Sequence, residues 1–172
     1  HKLRKAVAAY IGVHEQAHGR LDYVLIDCPP SLGLLTLNAL VCADGVIVPL
    51  QAEFFALQGM AQLLDVLERV KRRLNPRLEL VGILVGMYSR QRNLSREGVE
   101  ELKRHFGEIL LPTFVRVNVR LAEAPSHAQT IFEYAPESGA AQEFRELARE
   151  FWRRVAGREL NSASTKAAPK LK

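Results

Sequence analysis

The stretch Leu21-Asp-Tyr-Val-Leu-Ile-Asp27-Cys-Pro-Pro-Ser31 constrains this chain more than any other. Tyr23 to Ile26 are aromatic or branched, which suits a strand buried on both faces of a sheet. Pro29 and Pro30 cannot donate to a ladder and hold the residues before them extended, so the strand is predicted to end at Asp27. In open α/β sheets ligands bind beyond the carboxyl ends of strands, which aims Asp27 at a site. One carboxylate there suits a Mg²⁺ ion held through water. Taken alone, the pattern fits equally well a strand followed by a turn with a capping Asp.

The 172 residues are 48% hydrophobic and 25% charged, the balance of one globular domain with its own core. No apolar run reaches the ~18 residues that span a bilayer, which predicts no membrane association through a helix. The opening His1-Lys-Leu-Arg-Lys5 leads into an Ala-rich helix with no cleavage site after it, unlike a secretory signal. Cys28 and Cys42 form no CxxC pair, and their apolar neighbours predict buried, reduced thiols in a cytoplasmic protein. Of the net charge of +5, +3 falls in residues 157–172, where four cations stand against Glu159. That Ser/Ala/Lys/Pro segment reads as a disordered basic tail, leaving 1–156 as the folded domain. The overall basic balance is therefore a poor pointer to nucleic acid, and clustering of cations counts for more.

Apolar spacing predicts helices over 3–18, 32–43, 57–74 and 94–106, a short one near 120–124, and a last one capped by Ser138. Buried strands are predicted at 22–27, 46–50 and 78–85, with a fourth at 108–114. Strands alternating with helices in this way imply βαβ units and a mostly parallel sheet. The first helix contains His14-Glu-Gln-Ala-His18, the H-E-x-x-H spacing of zinc proteases. The helix is predicted to stop one residue later and no third ligand follows in context, so a solvated helix end is the preferred reading. A zinc hydrolase remains the outlying alternative.

A strand-end carboxylate calls for a phosphate-cradling loop as its partner. No Gly in these residues is followed by Lys, no Gly-x-Gly occurs, and no G-x-S-x-G elbow is present. The residues alone thus supply a metal-side carboxylate without a phosphate loop.

Three ordered blocks, Leu25 to Ala39, Ala43 to Pro49 and Gln51 to Gly59, resemble the middle of ParA/Soj-type partitioning ATPases. Asn118-Val-Arg-Leu-Ala-Glu-Ala-Pro-Ser-His127, Tyr134-Ala-Pro-Glu-Ser138 and Leu147-Ala-Arg-Glu150 resemble the same family's carboxyl-terminal third. The resemblance runs over about residues 1–156. It implies an α/β fold of the P-loop NTPase (SIMIBI) class, a mostly parallel sheet flanked by helices, here without the P-loop strand. It also implies ATP and Mg²⁺ as family cofactors, none held by this chain alone, and no ATP hydrolysis by it unaided.

By the resemblance, Asp27 is the Walker B carboxylate ordering Mg²⁺ through a water, and Pro29, Pro30, Ser31 and Gly33 belong to switch II. Met87, Arg116 and Val117 fall where the adenine pocket is lined. Arg90, Arg92 and Arg120 fall on the surface used for non-specific DNA by the ATP-bound homodimer. A ParB-type stimulating partner and a nucleoid-associated cytoplasmic location follow on the same footing. The chain departs from the family's usual Pro-Arg before Asn118, with Arg116-Val117, and from Gly-Lys after His127, with Ala128-Gln129; it also has Ala135 where Asp is usual. These changes bear on the base contacts and on part of the DNA surface.

In this family the P-loop strand lies between the Walker B strand and the one matching 46–50. Without it, 22–27 is expected to close against 46–50, to be filled by another chain, or to stay bare, because unpaired buried backbone groups cost ~1–3 kcal/mol each. The chain is read as a fragment or a naturally shortened relative. The rival to a partitioning ATPase is a scaffold module without a P-loop, docking a protein or DNA through the apolar helix 32–43 and the basic loops.

Overall fold

The computed structural model describes residues 2–51, 56–89 and 93–166, with side chains described for 2–51, 59–89 and 97–156. The chain forms two compact units, His1–Val46 with Leu57–Leu80, and Ile47–Ala56 with Val81–Lys172.

In the first unit, α1 (Lys2–His18) ends at Gly19, whose φ of +87° closes the helix with an N–H bond to the Glu15 carbonyl. Side chains with a Cβ are strained in that conformation, so glycine stops the helix where predicted. α2 (Leu34–Cys42) buries Thr36, Ala39, Leu40 and Val41. α3 (Ala56–Arg73) turns Met60, Leu67 and Val70 inward, on the stripe its periodicity predicts, and carries Lys71, Arg72 and Arg73 in its last turn. Leu40 and Val41 pack with Leu67, Val70 and Leu78 as the core of this unit.

The predicted strand 22–27 does not form. Residues 19–29 carry no strand, lie outside the sheet, and are exposed from Asp22 onward, with Leu25 85% accessible. The three outcomes all assumed a strand here, and among the described residues none forms at 22–27. The physical reason is that a strand is stabilised by its neighbours' ladders, and among the described residues no strand pairs with 22–27. One further correction follows from the same exposure. Cys28 is an exposed free thiol and Cys42 a half-buried one, so the buried pair read from apolar surroundings is not found. The apolar helix 32–43 is buried on one side only, with Leu34 and Leu35 in solvent.

β1 (Gly45–Gln51) and β2 (Glu79–Gly86) are neighbours in a two-stranded sheet among the described residues. In the second unit, β2 buries Val81, Ile83 and Val85 on one face, and on the other buries Gly82 and half-buries Leu84. α4 (Asn93–Phe106) follows, burying Val99 and Leu102. The expected strand 108–114 is instead a 3-10 turn, 107–109, and a segment that bridges in parallel to β2 at Ile83 with Leu110 and, just past the strand, at Tyr88 with Arg116. Pro112 has no N–H to give a ladder, which confines the pairing to the bonds on either side of it. Those bonds run from Leu111 N–H to the Ile83 carbonyl (2.8 Å) and from Val115 N–H to that of Val85 (2.9 Å).

The segment comes this close because position 82 has no side chain. A Cβ at Gly82 would lie 2.8 Å from Leu111 Cδ2 and 2.9 Å from its Cγ, and Leu111 is fully buried. Gly82→Ala is therefore expected to lower stability by about 1–3 kcal/mol through overpacking, read as a lower denaturation midpoint with an unchanged slope.

α5 (Val119–Glu123), a 3-10 turn at 124–127 and α6 (Ile131–Tyr134) lead to α7 (Gly139–Lys166). Ser138 Oγ accepts the Ala141 N–H, the predicted cap. Ile131, Ala140 and Ala141 form a small core with Leu121 and Phe144. α7 continues past Gly157, where the sequence reading begins the tail, and no proline interrupts it before Pro169. The architecture is α/β with parallel strand pairing and flanking helices, the predicted class.

Candidate functional site

In the first unit, Asp27 is exposed and leads directly into the turn 28–33 that starts α2. Pro29, Pro30, Ser31 and Gly33 are all exposed. A single buried hydroxyl organises them: Thr36 Oγ1 donates to the Ser31 carbonyl at 2.6 Å, with the Pro29 carbonyl farther off at 3.5 Å. Gly33 caps the helix through its backbone, its carbonyl accepting the Leu37 N–H at 3.0 Å. Thr36 escaped the sequence reading, although a polar residue three places after the Gly of an apolar helix start was its signal.

Asp27 suits a hard cation. It offers carboxylate oxygens in solvent, and no group of three or more His, Cys, Asp or Glu gathers into a protein cage among the described residues. Magnesium, which keeps several waters and takes few protein ligands, fits a lone exposed carboxylate of this kind. On α1 the rings of His14 and His18 are tilted at 42° with centroids 4.9 Å apart, and Tyr10 stacks on His14 at 5.7 Å.

In the second unit, two segments that are distant in sequence meet beyond the carboxyl end of β2. Met87 follows the strand in a left-handed conformation (φ +50°) and is 61% exposed. Tyr88 bridges to Arg116, its N–H donating to the Val115 carbonyl and its own carbonyl accepting the Val117 N–H, both at 3.1 Å. Met87, Arg116 and Val117 therefore lie on one rim, Val117 with its side chain in solvent. Gln51, at the end of β1, joins them, its amide 3.0 Å from Met87 Sδ.

α7 holds this rim. The buried carboxylate of Glu143 accepts the Arg116 backbone N–H at 2.9 Å and ion-pairs with the Arg116 guanidinium. Glu143 also escaped the sequence reading, because a carboxylate on a helix 27 positions from its partner leaves no local pattern. Glu143→Ala is expected to cost about 1–2 kcal/mol, the half-exposed Arg116 limiting the loss. Amide exchange at Val117 should quicken with it.

Arg120 is exposed on α5, and its N–H is capped by Asn118 Oδ1 at 2.9 Å. The carboxylate one turn on, Glu123, accepts from Tyr134 OH at 3.0 Å, a bond that pushes the Tyr134 phenol up. No ion pair joins Arg120 to Glu123 among the described residues, so this guanidinium is not tied to that carboxylate. His127 stacks on Tyr134 at 4.9 Å, a packing role. Arg90 and Arg92 lie outside the described residues.

Residues 9–80 match a family model described as an AAA domain. The chromosome partitioning protein ParA of Caulobacter vibrioides is 42% identical over 163 residues, covering 95% of this chain and 59% of that protein. The chromosome-partitioning ATPase Soj of Thermus thermophilus is 53% identical over 134 residues, covering 78% of this chain and 54% of that protein. In three dimensions, a crystal structure of cobyrinic acid a,c-diamide synthase from Mycobacterium smegmatis with bound ADP and magnesium is similar at a TM-score of 0.66 and 33% identity, covering 90% of this chain and 53% of that one. The chain thus spans about half the length of the curated relatives it matches. On these likenesses the chain belongs to the ParA/Soj-type family of partitioning ATPases.

Proposed function

We propose that this chain contributes the metal-side carboxylate and the base-side rim of an ATPase that moves DNA in chromosome or plasmid partitioning. The observation that carries the reading is the convergence of Met87, Arg116 and Val117 on one rim at strand ends, where ligands of parallel α/β sheets bind. The exposure of the apolar run 23–26 supports it further, since a run of this kind is stabilised by a neighbouring strand.

Phosphoryl transfer of this class needs positioning and charge neutralisation more than covalent help. Magnesium, when bound with the nucleotide, would supply charge neutralisation on the phosphate oxygens. Asp27 orients the metal's water shell, and Pro29, Pro30, Ser31 and Gly33 follow the γ-phosphate through a turn that Thr36 anchors. Met87, Arg116 and Val117 flank the base. Arg120, with Arg90 and Arg92, meets the DNA backbone, and a ParB-type partner sets the rate of hydrolysis on a nucleotide-dependent homodimer. The lysine that stabilises the transferred phosphoryl group is not among these 172 residues in a Gly-Lys loop.

A chimera tests the proposal. The segment of Caulobacter ParA that precedes the matched region is joined to this chain, and ATP hydrolysis is measured with and without DNA. The chain alone is expected to show no turnover, the chimera to hydrolyse ATP, and Asp27→Ala in the chimera to abolish it. Turnover by the unaided chain, or a chimera indifferent to Asp27→Ala, would overturn the assignment. DNA binding through Arg120 should weaken steeply with salt.

A further inference from the structure

We propose that the outward face of α7 binds single-stranded nucleic acid, with an unpaired base stacked on Trp152 between Arg149 and Arg153. This site is separate from the nucleotide rim and from Arg120, and stands whether or not the chain takes part in ATP hydrolysis.

α7 turns Ala140, Ala141 and Glu143 inward and half-buries Phe144, Leu147, Phe151 and Val155. Trp152 is not on that side. It is 59% exposed, and a shallow hollow of about 470 Å³ lies against it, lined by Ala148, Arg149, Trp152 and Arg153. Helical side chains lean toward the amino-terminal end, so a residue four places earlier covers part of each ring. For Trp152 that residue is Ala148, a single methyl group, and the indole is left open.

The surroundings are cationic. Arg145, Arg149 and Arg153 recur every four residues, a step of about 6 Å along the axis. Arg149 enters no ion pair among the described residues, and Arg153 pairs with Glu150 at 3.1 Å while staying 70% exposed. At the near end, the Arg145 guanidinium is placed by the Pro136 carbonyl (2.9 Å) over the ring of Phe132, itself partly in solvent. The face therefore sets guanidinium groups on both sides of one open ring, Trp152, with a second ring, Phe132, under Arg145.

That alternation matches a single strand, whose phosphates follow the cations while its bases stack on the rings. A duplex keeps its base faces covered, so it can use the arginines but not the indole. A protein partner would want a rim of apolar groups around the tryptophan to exclude water, and here the indole's neighbours in the hollow are two arginines and an alanine.

Trp152 is the single tryptophan of the chain, so its fluorescence reports this site alone. Titration of the 172-residue protein with a fifteen-residue oligothymidylate at low salt should quench that emission, and the affinity should fall as salt is raised. Trp152→Ala, followed by anisotropy of a labelled oligothymidylate, should bind at least about tenfold more weakly. Arg149→Gln with Arg153→Gln should weaken binding and flatten the salt dependence. Both positions are exposed, so circular dichroism should show the fold intact. The proposal is overturned if oligothymidylate does not quench, if a duplex of equal length or polyglutamate quenches as strongly, or if the double arginine variant binds as the parent does.

Discussion

Asn75→Asp should destabilise the first unit by about 3–5 kcal/mol. The Asn75 side chain is 1% exposed, and its amide donates to two carbonyls, Leu40 at 2.9 Å and Ala43 at 2.6 Å. These belong to the carboxyl end of α2, where the last turn of a helix leaves its carbonyls without partners. Of the others there, Ala39 accepts the Ala43 N–H and Val41 accepts the Arg4 guanidinium from α1. Asn75 thus completes the helix end, while its own backbone is held by bonds to Val70 and from Leu78. Aspartate has nearly the same shape but no donor, and would set carboxylate oxygen against two carbonyl oxygens in a site closed to water. Asn75→Ala removes the donors without adding charge and is expected to cost less, about 2–3 kcal/mol. Urea denaturation of both variants checks the order. Part of the aspartate loss should return as pH falls into the carboxylate range, since a protonated acid regains one donor. Equal losses for the two variants at neutral pH would show that the amide's donors are not what holds α2.

The second large effect is at Arg154. Its guanidinium donates to the carbonyls of Val81 at 3.0 Å and Glu108 at 2.9 Å, with Leu110 at 3.4 Å at the edge of reach, and Glu150 binds its Nε at 2.8 Å. The turn at 107–110 lies beside β2 without a full ladder, so its carbonyls depend on a side chain. Arg154→Ala is expected to cost about 2–4 kcal/mol, since hydrogen bonds to a charged group contribute more than neutral ones. Arg154→Lys should recover only part of this, because one ammonium cannot span carbonyls that a planar fork reaches together. The checks are thermal unfolding and amide exchange at Leu111, whose N–H bonds to Ile83. Full rescue by lysine would mean that charge alone, and not the fork, holds the turn.

These two anchors also show where reading along the chain stops. Asn75 reaches back 35 residues and Arg154 reaches 73, and neither separation leaves a periodic trace. Asn75 was legible only as the start of an Asn-Pro helix stop, which it also is. Arg154 sits among Arg149, Arg153 and Arg158 and reads as one more solvated cation. The candidate site divides in the same way. Asp27 and the two prolines stood out locally, and so did the polar breaks after each strand. That Met87 and Val117 share a rim follows from the Tyr88–Arg116 bridge, a parallel pairing between segments joined by a helix.

The sequence determined the helices, their stops at Gly19 and Asn75, and the parallel α/β class, because helical periodicity and breaker residues act within a few positions of themselves. Tertiary structure alone decided whether each apolar run becomes a strand. Residues 79–86 do so, since β1 and the 110–117 segment stand on either side to take their hydrogen bonds. Residues 22–27 have the same local pattern and remain outside the sheet, because backbone pairing requires a neighbour that no property of the run itself can provide.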